Sequence, residues 1–232
     1  MISPEAGIII TGASRGIGAA MALYFAKVRK NPLLLTGRNA AALEQIAARC
    51  RDAGCEAHIM QADLTDVDAL NRYRLPDGFK PAVLVNNAGA YIEKDMMSAT
   101  MQDYTSQFNS NVLTAVGATN RFLPFILQNR PGLIVNICSV ASLFGIERSP
   151  AYAVSKHGLL GYTRSLRKSL AGQEVGVTAI NLGATASGSW DGEDRELETL
   201  IDPVDVARVA DALMNLSART VVDEILISPA VG

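Results

Sequence analysis

The opening stretch constrains the fold of this chain more than any other feature. Gly7-Ile-Ile-Ile-Thr11 is a short apolar run rich in β-branched residues; Gly12, Gly16 and Gly18 follow, and an apolar helical stretch runs from Ala19 to Lys30. Strand, tight turn and helix are thus written in order. Glycines in such a turn let the backbone approach a bound group closely, and the helix N-terminus offers free N–H groups and a positive dipole end, a combination suited to a pyrophosphate. The spacing is Gly-x-x-x-Gly-x-Gly, which differs from the general Gly-x-Gly-x-x-Gly dinucleotide fingerprint.

The same alternation continues along the chain. Apolar, strand-length runs near 7–11, 33–36, 56–60, 82–86, 132–138, 175–181 and 223–228 alternate with helical stretches near 16–30, 40–53, 66–73, 100–128, 151–171 and 203–217. Alternation of this kind predicts a parallel sheet with right-handed crossovers. The expectation is an α/β, doubly wound Rossmann fold: one seven-stranded, mostly parallel sheet with helices on both faces. A chain of 232 residues suits one undivided domain of this type, spanning 1–232. Asn31-Pro32 should stop the first helix, and Pro124 should kink the long fourth one.

Ligands of open α/β sheets bind at the carboxyl ends of the strands. At the end of the second strand, Leu33–Thr36, a carboxylate would grip the ribose hydroxyls of NAD, but Gly37 and Arg38 stand there. A guanidinium favours a 2′-phosphate, and Arg15 in the glycine loop can reach the same group, so the cofactor predicted is NADP(H). Ser139 ends the apolar run Leu133–Cys138, which places its hydroxyl at the cofactor crevice. Thirteen residues later comes Tyr152, and then Lys156, one helical turn away on the same face if 151–171 is a helix. A cation so placed favours the phenolate and makes Tyr152 a candidate general acid.

These residues resemble the short-chain dehydrogenase/reductase family over essentially the whole chain. Thr11–Gly18 resembles its cofactor loop, Asn86-Asn-Ala-Gly89 its fourth-strand motif, Asp63-Leu64 its adenine-reading position, and Asn111, Ser139, Tyr152 and Lys156 its catalytic tetrad. The resemblance implies that Tyr152 donates a proton, Ser139 polarises the carbonyl, Lys156 binds the nicotinamide ribose and Asn111 holds a water linking Lys156 to solvent. It further implies cofactor contacts from Gly12, Ser14, Arg15, Gly16, Ile17, Gly18, Arg38, Asp63, Leu64, Asn87, Ala88, Gly89, Tyr152 and Lys156. The family usually has Pro-Gly after the sixth strand and a Thr four residues beyond that Gly. This chain has Leu182-Gly183 and then Ser187, so the hydroxyl is retained and a looser turn is expected. Gly183 and Ser187 complete the implied cofactor set.

The segment 184–202 is the least regular, with an acidic run from Asp191 to Glu198 beside Trp190, and is expected to form a substrate lid. Candidate substrate walls are Tyr91, Ser142, Phe144 and Trp190. The lid and the tail Arg219–Leu226 resemble the bacterial sepiapterin-reductase branch. The expected activity is NADPH-dependent reduction of a ketone or aldehyde, with a small-molecule carbonyl or alcohol as partner. A 3-oxoacyl thioester reductase, for which Arg148 is the nearby basic residue, and a pterin reductase are the enzymatic alternatives. A non-catalytic NADP-sensing protein is the alternative from another class, and the intact Tyr152 and Lys156 weigh against it.

Net charge of −2 with scattered basic residues gives no footprint for nucleic acid. The longest apolar stretches are strand-length and the N-terminus lacks the pattern of a signal peptide, so a cytoplasmic protein without a membrane partner is expected. Cys50, Cys55 and Cys138, with His58 and His157, form no metal spacing, so free thiols and no metal are expected. His157 adjoins Lys156 but points away from its face and reads as a packing or surface residue. The resemblance also implies a homodimer or homotetramer, and helices 100–128 and 151–171 carry enough apolar residues for burial on two sides.

Overall fold

The fold was analysed in a computed structural model that describes residues 1–187 and 197–230. Seven strands, β1 (Gly7–Thr11), β2 (Leu33–Gly37), β3 (Ala57–Gln61), β4 (Pro81–Asn86), β5 (Gly132–Ser139), β6 (Val175–Leu182) and β7 (Glu224–Ile227), form one sheet in the order β3-β2-β1-β4-β5-β6-β7. Every pairing is parallel, so the mostly parallel sheet expected is wholly parallel among the described residues. The helices are α1 (Gly16–Val28), α2 (Ala40–Asp52), α3 (Val67–Arg72), α4 (Met101–Phe108), α5 (Thr114–Gln128), α6 (Pro150–Ser169) and α7 (Pro203–Met214).

Helices cover both faces, which is why the central strands are apolar without alternation. In β1, Ile8 and Ile10 face the cluster built with Met21 and Phe25 of α1 and Val206 and Ala210 of α7. Ile9 points the other way, into the cluster of Phe122 and Ile126 from α5 with Leu84 and Ile134. All three isoleucines are fully buried, and each contributes about 1.5–3 kcal/mol of apolar transfer on folding.

Chain order reverses between β1 and β4, so their crossovers run to opposite sides and leave a crevice above the carboxyl ends. The stretch 100–128, expected as one helix kinked at Pro124, differs. α5 includes Pro124, and the stretch is divided upstream by a π-helical turn at Asn109–Leu113 that joins α4 to α5. Such single widened turns interrupt α-helices frequently at functional sites, and this one carries the fully buried Asn111.

Candidate active site

The floor of the crevice is a lock between the first strand and the fourth. Thr11 Oγ1 accepts the N–H groups of Asn87 and Ala88, both at 2.9 Å. Asn87 Nδ2 returns hydrogen bonds to the carbonyls of Thr11 (2.9 Å) and Gly12 (3.2 Å). Gly12 has φ of +64°, and a Cβ there would stand 2.8 Å from Ala88 Cα, so both backbone conformation and space demand glycine.

Above this floor α1 begins at Gly16, and its N-cap residue Arg15 is extended and makes no side-chain cap hydrogen bond. The N-cap side chain leaves the first N–H groups of α1 unsatisfied, and an N-terminus of this kind can take an anion. Arg15 and Arg38 are both exposed and line the same cleft. Asp63 lines it after β3; its carboxylate accepts the Thr65 N–H (2.9 Å) and hydroxyl (2.7 Å), which with the nearby Arg38 charge hold the carboxyl below its ordinary range.

The opposite wall comes from β5 and α6. Ser139, 8% exposed, ends β5 and accepts the Ala141 N–H at 3.1 Å, while its own N–H donates to Ser142 Oγ at 3.2 Å. Its hydroxyl proton stays available for a substrate oxygen. Tyr152 sits in the first turn of α6, and Lys156 lies one turn on, its Nζ 5.7 Å from the Tyr152 ring centroid. Lys156 is 5% exposed and donates to the Ile137 carbonyl at 2.9 Å. Asn111 Nδ2 donates to the carbonyls of Ala90 (2.9 Å) and Gln107 (3.0 Å) and to Ser155 Oγ (3.1 Å), while Oδ1 accepts the Ala90 N–H at 3.1 Å. That side chain ties the loop after β4 to α6.

A cleft of about 950 Å³ runs between these walls. Among its lining residues are Gly12, Ser14, Arg15, Gly16, Ile17, Arg38, Asp63, Leu64, Asn87, Ala88, Gly89, Tyr91, Asn111, Ser139, Tyr152, Lys156, Gly183 and Ser187. Gly18 sits behind it, where a Cβ would be 2.5 Å from the Gly12 carbonyl. Ser142 is buried at 2% exposure beneath Ser139, and Phe144 is exposed at 64%; neither lines the cleft. His157 is exposed and its Nδ1 lies 2.9 Å from the Ala153 carbonyl. Trp190 lies outside the described residues, as does most of the acidic run. Leu182, where a looser turn was expected, is buried and paired with both Ser139 and Ile227, and the Gly183 N–H donates to the Ile227 carbonyl at 2.8 Å.

Sequence reading did not foresee the hydrogen bonds made by Thr11, Ile137, Ser149 and Ser155. Ser155 alone carried a signal, since it lies three residues after Tyr152 on a related face of the helix. The others act through a strand-end hydroxyl, a main-chain carbonyl and a contact across loops, none of which leaves a spacing in the chain.

Residues 6–197 match the family model described as short chain dehydrogenase. The chain belongs to the short-chain dehydrogenase family. This short-chain dehydrogenase is 31% identical to the sepiapterin reductase of Chlorobaculum tepidum over 240 aligned positions, covering 97% of this chain and 96% of the relative. It is 29% identical to the 3-oxoacyl-[acyl-carrier-protein] reductase of Synechocystis, covering 86% and 81%. Among solved structures, an NADPH-bound short chain oxidoreductase from Pseudomonas aeruginosa, whose catalytic center is described as atypical, superposes with a TM-score of 0.90 at 21% identity, covering 100% of this chain and 98% of the other. A metagenomic short-chain oxidoreductase in complex with NADP gives 0.84 at 26% identity, covering 99% of each. Members of the family are oxidoreductases acting between CH–OH and C=O groups. Among the described residues no helix is long and apolar enough to cross a membrane.

Proposed function

We propose that the protein is an NADPH-dependent carbonyl reductase that converts a ketone or aldehyde to an alcohol. The observation that carries this reading is the convergence of Ser139, Tyr152 and Lys156 on one wall of a cleft whose other end holds the uncapped start of α1 and Arg38. The cleft fits NADP(H). Gly12 leaves a cradle that any side chain would fill, the α1 N-terminus accepts a pyrophosphate, and neither Arg15 nor Arg38 forms a salt bridge among the described residues. Asp63, Leu64, Asn87, Ala88 and Gly89 would border the adenosine half, and Gly183, Ser187, Tyr152 and Lys156 the nicotinamide half. A bound NADPH would supply the hydride for the carbonyl carbon.

The chain's own residues handle the oxygen. Ser139 Oγ donates a hydrogen bond to the carbonyl oxygen, and Tyr152 delivers its phenolic proton as that oxygen gains charge. The Lys156 ammonium stabilises the phenolate left behind. Asn111 braces the loop after β4 against α6, which holds Tyr91 and Tyr152 at a common wall.

A compact ketone-bearing heterocycle such as a pterin is the second reading, supported by the end-to-end likeness to sepiapterin reductase. The thioester alternative is weaker, because Arg148, its basic candidate, pairs with the Glu93 carboxylate. We read the chain as a single cytoplasmic domain that works as a homodimer or homotetramer, a reading supported by exposed Phe108 and Val154 on α4 and α6. NADPH oxidation by purified protein across diketones, aldehydes, pterins and 3-oxoacyl thioesters tests the activity. Turnover with a member of this panel that vanishes in Tyr152→Phe is the expected result; turnover that survives the substitution overturns the acid assignment.

A further inference from the structure

Ser149 occupies the N-cap position of α6, where a serine ordinarily accepts a hydrogen bond from an N–H of the first turn. Here it makes no such bond. The side chain has been diverted: Ser149 is 1% exposed, and its Oγ lies 2.9 Å from the Tyr91 hydroxyl oxygen and 2.7 Å from the Arg148 carbonyl oxygen. A carbonyl can only accept and a hydroxyl carries one proton. Both bonds therefore form when Ser149 donates to the Arg148 carbonyl and the Tyr91 O–H donates to Ser149.

Tyr91 in turn meets the Tyr152 ring edge-on, with centroids 5.1 Å apart and planes at 83°. This is the favoured geometry for an aromatic pair. The same two loops cross a second time through the Glu93–Arg148 ion pair. Tyr91 thus has one end fixed to the start of α6 and its ring against the residue three positions into that helix.

From this arrangement we infer that Tyr91 is a positioning residue for Tyr152, held by Ser149, and not only a wall of the substrate cleft. Tyr152 sits in a helical turn with no side-chain cap, the part of a helix most prone to fray. Proton delivery needs the phenol held at hydrogen-bond reach of the substrate oxygen. Tyr91 supplies the restraint that the diverted cap gives up, and its ring covers one flank of the phenol from water.

The inference rests on the reductase reading, so its test has two arms. With a carbonyl that the enzyme turns over, Tyr91→Leu is expected to lower kcat about 3- to 10-fold, the size of a lost aromatic pair, with the KM for NADPH unchanged. Tyr91→Phe and Ser149→Ala both delete the Tyr91–Ser149 hydrogen bond while keeping the Tyr152 contact, so both should give losses smaller than Tyr91→Leu; Ser149→Ala also removes the bond to the Arg148 carbonyl, so its loss should be at least that of Tyr91→Phe. Their double variant should be no worse than Ser149→Ala alone. A Tyr91→Leu protein with normal kcat and a raised KM for the carbonyl alone overturns the inference and leaves Tyr91 a wall.

The second arm needs no turnover. The ionisation of Tyr152, followed as tyrosinate absorbance in the wild type minus Tyr152→Phe, is expected to move in the Tyr91→Leu background. Such movement supports the positioning role even if no carbonyl on the panel is reduced; an unmoved titration in a folded variant overturns it. Tyr91→Phe, which preserves the ring volume, serves the same comparison should Tyr91→Leu fail to fold.

Discussion

The Lys156 ammonium donates a 2.9 Å hydrogen bond to the carbonyl oxygen of Ile137, two residues before Ser139 on the same strand. One bond thereby sets the α6 pair, Tyr152 and Lys156, against the strand that ends in Ser139. The geometry of the candidate site follows from it: the phenol comes from the helix, the hydroxyl from the strand, and the cation bridges the two.

Replacing that cation should be felt twice. Lys156→Met leaves a buried carbonyl without its donor, which costs about 1–3 kcal/mol of stability, and it removes the charge that supports the phenolate. Turnover is expected to fall at least about 100-fold, the lower range of acid–base contributions. Lys156→Arg should not restore it, because a planar guanidinium cannot place one donor where the compact ammonium sits. Thermal denaturation and steady-state kinetics on the three proteins check both effects.

Arg38 is the residue proposed to discriminate between the cofactors. Arg38→Ala is expected to raise the KM for NADPH by about 10- to 100-fold, as befits a lost charge-assisted hydrogen bond of about 1.5–3 kcal/mol, while the KM for NADH stays within about twofold. The ratio of the two KM values measures it, and raised salt should narrow the wild-type preference.

Gly12→Ala places a Cβ 2.8 Å from Ala88 Cα at a residue with φ of +64°. Backbone strain and crowding together are expected to cost about 1–3 kcal/mol, and to weaken NADPH binding by displacing the lock between Thr11 and Asn87. Chemical denaturation and cofactor titration should move together.

A pH test concerns the start of α4. Thr100 and Asp103 form a capping box, with Lys94 also bonded to the Asp103 carboxylate. The Thr100 N–H and hydroxyl, and then Lys94, hold the Asp103 carboxyl down at about 2. An unfolded aspartate titrates near ~3.9. The folded value is the lower one, so this contribution to stability is complete above about pH 4 and is lost as the pH falls through about 2. The Tm difference between wild type and Asp103→Asn should shrink across that window. A difference that stays constant would exclude the carboxylate as its source.

Much of this protein was written locally. The apolar runs, the glycine turn of residues 12–18 and the four-residue step from Tyr152 to Lys156 follow from backbone sterics and helical period, which act between near neighbours, so sheet, helices and cleft position were legible in the chain. Pairing and facing were not. Seven parallel strands in place of a mostly parallel set, the π-helical turn that buries Asn111 where one kinked helix was expected, and a Leu182 held in the sheet on both sides were decided by contacts between distant segments. So were the burial of Ser142, the outward turn of Phe144 and the diversion of Ser149 from its helix cap to Tyr91. The physical reason is common to all of them: a polar group takes the partner that burial leaves within reach, and which partner that is depends on how far-apart segments are packed.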